Sequence, residues 1–168
     1  IALGVSPRIT PSLRAVGDLR GRRIGVSAPG SSTNMVANFA LARAGVRPSE
    51  VRFVGVGTGE GALRAFRLGE VDAMCNIDPL MTVLETRGEI RILSDTRTHQ
   101  GAVDLFGGPM PAACLYAPAD YVERQPEVCQ ALANAIVRAL KWLQTAGPSD
   151  IIKAVPESYL LGDRNLYL

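Results

Sequence analysis

The chain has 168 residues, 47% of them apolar and 20% charged, with 18 basic against 16 acidic side chains. This length suits one domain, or one domain with an appended piece, and carries its own hydrophobic core, so no disulfide framework is required. A net charge of +2 without a basic stripe and an aromatic content of 5% exclude nucleic acid as an expected partner, and no stretch approaches the roughly eighteen uninterrupted apolar residues of a membrane-spanning helix.

The first residue is Ile1, and no basic segment followed by an apolar run comes after it. The chain therefore reads as a piece of a longer protein, with any export signal upstream. Cys75, Cys114 and Cys129 are odd in number, far apart and set among apolar neighbours, which reads as free buried thiols.

From Asp18 to Leu115 short strand-like runs alternate with helical ones, the pattern of a layered α/β domain. Residues 22–27 read as a strand, broken by Pro29-Gly30. Ser31-Ser32-Thr33 then supplies hydroxyl caps to a helix with Val36, Phe39 and Ala40 at helical spacing, ended by Gly45. A second strand covers 51–56, followed by the flexible run 57–61. A short helix over 62–68, with Leu63 and Phe66 inward, closes on Gly69. A third strand covers 71–77. Asp78-Pro79 starts a helix through Leu80, Val83 and Leu84 that Gly88 terminates, and 90–93 is a fourth strand. The stretch 94–111 has little periodicity and reads as a long loop, and 112–117 as a fifth strand. Beyond it come a short helix over 118–124, then a long one opened by Pro126. The long helix places Val128, Leu132, Ile136, Leu140 and Leu143 on one apolar stripe that must cover something. The residues from Pro148 on read as further helix and turn.

Two strand-to-helix junctions could carry chemistry. At Ser31, Ser32 and Thr33 the free backbone amides and the positive end of the helix dipole attract anions, and the hydroxyls add donors; capping uses the same atoms and is compatible with it. At Asn76-Ile77-Asp78-Pro79, Asn76 offers a donor and an acceptor, while Asp78 reads first as a helix cap. Ligands of open α/β sheets bind beyond the carboxyl ends of strands, so the two junctions suggest one cleft. Gly108 and Pro109, after Phe106-Gly107, form a third segment that permits close backbone approach or is an ordinary turn. Catalytic arrangements are weak. The single histidine, His99, reads as a solvated loop residue, no serine or cysteine stands in a nucleophile setting, and no cluster has metal-ligand spacing. Gly21-Arg22-Arg23 reads as a charged strand edge.

The run from Asp18 to Val26, then Gly30-Ser31-Ser32-Thr33, the segment from Leu63 to Ala73, Asn76-Ile77-Asp78-Pro79, and Tyr116 to Tyr121 before Pro126 together resemble the NMT1/THI5-like periplasmic solute-binding proteins of ABC transporters. The resemblance covers about Asp18 to Thr145. It implies a three-layer type II periplasmic-binding-protein lobe with a mostly parallel five-stranded sheet, and C-terminal helices that belong to an otherwise missing first lobe. Residues 1–17 would be the incoming crossover, 18–117 the second α/β lobe, and 118–168 the return crossover and first-lobe helices. Ser31, Ser32, Thr33, Asn76, Asp78, Gly108 and Pro109 would then line the cleft. A small-molecule ligand and a membrane permease are the implied partners, a periplasmic or lipid-anchored extracytoplasmic site the implied location, and no cofactor is expected. An Asp78 that faces the ligand favours one with an N–H donor, such as an amino-pyrimidine, amide or amine, over sulfonate or nitrate. With the first lobe absent, the stripe from Val128 to Leu143 calls for cover by a second copy of the chain. Two other classes share the architecture: enzymes of pyrimidine biosynthesis, desulfination or decarboxylation, and effector-sensing regulatory domains.

Overall fold

The computed structural model describes residues 1–111 and 113–160. Two compact units make up the chain, one of Ile1–Met110 with the described residues from Glu157 on, the other of Pro111–Pro156.

In the first unit, strands β1 (Ala2–Val5), β2 (Arg23–Val26), β3 (Arg52–Gly55), β4 (Ala73–Asn76) and β5 (Arg91–Asp95) form one sheet in the order β3-β2-β4-β1-β5. β2 runs parallel to β3 and β4, whereas β1 is antiparallel to β4 and β5, so four of the five strands share a direction. Helices α1 (Ser32–Arg43), α2 (Glu60–Arg67), α3 (Leu80–Thr86) and α4 (His99–Phe106) cover its faces.

Strand parity decides which helix meets which residue. Leu3, Val5, Ile24, Val26, Ala73 and Cys75 point to one face and pack with Val36, Ala37, Ala40 and Leu41 of α1 and Leu105 of α4. Ala2 and Met74 point to the other, against Leu63 and Phe66 of α2 and Leu80, Met81 and Leu84 of α3. The result is the three-layer α/β architecture that the family resemblance implies. Each large side chain removed from water in it, such as Phe66 or Leu41, stabilises the fold by roughly 1.5–3 kcal/mol.

The four strands read at 22–27, 51–56, 71–77 and 90–93 are present, each within two residues of its expected limits. Gly45, Gly69 and Gly88 follow their helices with φ of 72°, 72° and 65°, the left-handed geometry that ends a helix without Cβ strain. Phe39 is half-exposed rather than a core residue, its ring 5.2 Å from that of Phe106.

Three elements differ from the sequence reading. The incoming segment 1–17 carries β1, whose Ala-Leu-Gly-Val is too short to show alternation, and which lies between β4 and β5. The stretch 94–111, expected to be a loop, contains α4. Thr98 caps that helix by accepting from the amide of Gly101 at 3.0 Å, and a Cβ at Gly101 would overlap the carbonyl of Asp95, so the residue that weakens the helical pattern is the one packing requires. The expected fifth strand at 112–117 is absent from 113–117, and Ala112 lies outside the described residues. Leu115 and Tyr116 are exposed, and apolar composition alone does not make a strand.

The second unit consists of α5 (Ala119–Arg124), α6 (Pro126–Leu143) and α7 (Pro148–Ala154). The expected stripe of α6 is present and exposed, from 41% at Val128 to 57% at Leu140. Residues 161–168, the end of the expected C-terminal helix and turn, lie outside the described residues.

Close approach at the β1 bulge gives a first test. A Cβ on Gly4 would stand 2.6 Å from the carbonyl oxygen of Arg91 and 2.7 Å from Ile90 Cγ1. Gly4→Val is expected to destabilise the protein by about 2–4 kcal/mol in urea unfolding, a value below 1 kcal/mol showing that the strand can shift to accept it.

Candidate functional site

Because β2, β3 and β4 are parallel, their carboxyl ends reach the same edge of the sheet, and the segments after Val26, Gly55 and Asn76 meet there. Such an edge is where open α/β sheets present ligand sites.

The segment after β2 builds a hydroxyl cluster. Ser27 Oγ donates to Ser31 Oγ at 2.9 Å, Ser27 Oγ and Thr33 Oγ1 are 2.9 Å apart, and Ser31 Oγ and Thr33 Oγ1 are 2.8 Å apart. The amide of Ser27 donates to Thr33 Oγ1, closing the turn on itself. Ser31 is the N-cap of α1, accepting from the amide of Asn34 at 3.3 Å. The helix's own ladder starts with Met35 N to Ser31 O, so the amides of Ser32 and Thr33 precede it, as at any helix start. Ser32 is exposed on this turn, Ser31 half-buried and Thr33 buried. Asn34 Oδ1 accepts from the amide of Gly30 at 2.9 Å, while its buried Nδ2 has no partner among the described residues. The turn thus holds an unspent donor at the positive end of a twelve-residue helix.

Asn76 links the three strand ends. Its side chain is fully buried; Nδ2 donates to the carbonyl of Gly57 at 2.9 Å and Oδ1 accepts from the amide of Ile77. Gly57 in turn donates its amide to the carbonyl of Ser27 at 3.0 Å. One chain of hydrogen bonds therefore runs from the α1 cap through the turn after β3 to the end of β4.

Pro79, not Asp78 as expected, is the N-cap of α3; Asp78 lies one residue before it, its Oδ1 accepting from the amide and hydroxyl of Thr82 at 3.0 and 2.7 Å. The same oxygen accepts from Arg97 Nη1 at 3.1 Å. Arg97 also binds Asp95 and Glu85, each at 2.7 Å, and so ties the end of β5 to both ends of α3. Hydrogen bonding to Arg97 holds the Asp95 carboxyl below the usual carboxylate range, against the opposing effect of burial. Asp95 and its neighbouring carboxylates raise the Arg97 guanidinium in return.

Of the residues singled out by sequence, Ser31, Thr33 and Asn76 thus belong to one hydrogen-bonded system, Ser32 is exposed on the same turn, and Asp78 is held beside it by Arg97. Gly108 and Pro109 follow α4, and among the described residues no hydrogen bond joins them to this system. His99 is not in a loop; it is the first residue of α4 and exposed. The three cysteines are free, yet only Cys75 is buried, Cys114 being exposed and Cys129 intermediate. Sequence reasoning missed Ser27, Gly57 and Arg97. Ser27 was legible as a hydroxyl four residues before Ser31, whereas Gly57 acts through its backbone and Arg97 through partners up to nineteen residues away, neither of which leaves a local pattern.

This is one lobe of a type II periplasmic-binding-protein fold. A model of the NMT1-like family matches residues 9–155, and the chain belongs to that family. Among curated proteins none matches the chain. Among solved structures, a protein from Bordetella bronchiseptica RB50 is 55% identical over 99% of this chain and 52% of its own, with a TM-score of 0.93. The alkanesulfonate-binding protein SsuA from Xanthomonas axonopodis pv. citri, bound to MOPS, is 30% identical over 55% of this chain and 31% of its own, with a TM-score of 0.51. The periplasmic aliphatic sulphonate binding protein SsuA from Escherichia coli shares the fold at 23% identity, covering 86% of this chain and 45% of its own, with a TM-score of 0.68. The chain spans about half the length of the first of these, and less of the others.

Two measurements probe this edge. The Asp95 carboxyl, lowered by Arg97, contributes stability that is complete above its unfolded value near 4 and lost as pH falls through the lowered folded value. The stability difference between the protein and Arg97→Met is therefore expected to shrink as pH falls from about 5 through the lowered folded value, and a difference independent of pH would contradict the pairing. Burial pushes the Cys75 thiol up to about 12. At pH 8 an aromatic disulfide reagent is expected to modify Cys114 in the folded protein and Cys75 only after denaturation, so rapid native modification of Cys75 in a Cys114→Ser variant would refute its burial.

Proposed function

We propose that the protein is the second lobe, with attached helices, of an ABC transporter substrate-binding protein, which captures a small organic solute in an interlobe cleft and delivers it to a membrane permease without transforming it. The observation that carries this is the first turn of α1: exposed Ser32, two amides outside the helical ladder and the unpartnered Nδ2 of Asn34, all at the positive end of a helix dipole. Those donors suit an anionic or strongly polar head group, and the sulfonate class leads among sulfonate, nitrate-like, pyrimidine and amide solutes because the relatives named alkanesulfonate- and sulphonate-binding share this fold.

In this reading Ser31, Ser32, Thr33 and Asn76 hold the head group's side of the cleft. Asp78, Gly108 and Pro109 form its outer rim, the Asp78 carboxylate being offset by Arg97 at 3.1 Å rather than offered to an anionic head group. Residues 1–17, which carry β1, and 118–156 are the crossovers and first-lobe helices, and the apolar stripe of α6 is covered by the remaining part of the longer protein, or by a second copy when that part is missing. Binding then shifts a hinge equilibrium, since a solute bridges both lobes only when they close. The location is extracytoplasmic, matching a role in feeding a permease.

The test uses the full-length protein in a thermal-shift screen of alkanesulfonates, nitrate, pyrimidines and amides, with the ligand recovered and weighed by mass spectrometry. A stabilising ligand recovered unchanged is expected, with Ser32→Trp weakening it at least about tenfold at unaltered ligand-free melting temperature. Conversion of the ligand to a product would favour the enzyme reading, and undiminished binding by Ser32→Trp would remove α1 from the site.

A further inference from the structure

The opposite edge of the sheet carries a second polar site. β1 ends where β4 and β5 begin, Val5 pairing with Ala73 and Arg91, so the residues after it emerge away from Asn76 and the hydroxyl cluster. There Ser6, Arg8, Phe66, Arg67, Gly88 and Glu89 enclose a cavity of about 310 Å³.

Arg67 is the last residue of α2. Its Nε donates to Glu89 Oε2 at 2.7 Å, while its Nη2, buried, has no partner among the described residues. Leaving a guanidinium N–H buried without an acceptor is unfavourable, and such a group is met by an oxygen whenever one can reach it. Arg8, exposed at the rim, donates through Nη2 to the backbone carbonyl of Arg67 at 3.1 Å. The two guanidinium groups outweigh the one carboxylate, which is already paired. A helix C-terminus is ordinarily hostile to anions because its carbonyls point outward. Here those carbonyls are engaged: Arg64 O and Phe66 O accept from Leu68, Ala65 O accepts from Glu70, and Arg67 O accepts from Arg8. Elsewhere on this edge Arg23 is paired with Asp72 at 2.9 Å and Arg91 Nη1 donates to the carbonyl of Leu13, so Arg8 and Arg67 are the arginines that line the cavity.

We infer that this cavity is a binding site for a phosphate-type tetrahedral oxyanion, held by the guanidinium groups of Arg67 and Arg8 with the Ser6 hydroxyl beside them. Two arginines forking onto one oxyanion is the geometry guanidinium groups favour over any single ammonium. The ion is either free phosphate or the phosphate of an anionic lipid headgroup. The site is separate from the solute cleft and stands whether or not that cleft binds a sulfonate.

The experiment is isothermal titration of the purified protein with inorganic phosphate at constant ionic strength, with chloride as the control. Saturable binding is expected, weakened at least about tenfold by Arg8→Gln and by Arg67→Gln and unchanged by Ser32→Trp. Arg8 is exposed, so its variant keeps the test decisive if Arg67→Gln loses its native circular dichroism. Absence of saturable binding, or equal affinity in Arg8→Gln, overturns the assignment. Flotation with phosphatidylglycerol and phosphatidylcholine vesicles separates the two sources: recruitment to phosphatidylglycerol alone, released by phosphate, identifies the headgroup, and phosphate binding without recruitment identifies the free ion, either result upholding the site.

Discussion

The central strands β1, β2 and β4, four residues long and buried on both faces but for half-buried Arg23, leave polar chemistry nowhere to go but their ends. Every residue of β1 and β4 is buried, so the sheet interior is closed to solvent, and each helix that covers it must start at one edge and finish at the other. The parallel course of β2, β3 and β4 then gathers the helix starts on one edge and the helix ends on its opposite. Hydroxyls, amides and positive helix ends meet on the first, while arginines collect on the second, where helix C-termini favour cations.

The first edge is organised by hydrogen bonds rather than by charge pairs. Asn76 is the residue on which this depends, because a buried amide must spend its donor and acceptor, and here it spends them on two separate segments of backbone. Asp78 and Arg97 fix the neighbouring turn by different means, a guanidinium shared among three carboxylates. An edge set in advance leaves little ordering to be done if a ligand binds there.

Helix boundaries were legible because their signals are local. Ser31 caps and Gly45, Gly69 and Gly88 stop their helices through hydrogen bonds and backbone angles that span four residues or fewer. The order and spacing of those signals were also enough to suggest the family and hence the layered fold. β1 and α4 were not legible for the converse reason. β1 is a strand because β4 and β5 flank it, and Gly101 sits in α4 because the Asp95 carbonyl leaves no room for a side chain. The run at 113–117 shows the other side of the same rule, its apolar composition alone not making it a strand.

By itself the sequence determined the alternating α/β pattern, the caps and stops of the helices, and the residue types available at the ends of β2 and β4, since each is a matter of short-range propensity and spacing. Only the tertiary structure decided that Ser27, Gly57 and Asn76 share one hydrogen-bond chain, that Arg97 rather than a ligand engages Asp78 Oδ1, and that Arg8 and Arg67 line one cavity. These pairings join residues nineteen to fifty-nine positions apart, a separation at which partners are chosen by strand order and register and not by anything written between them.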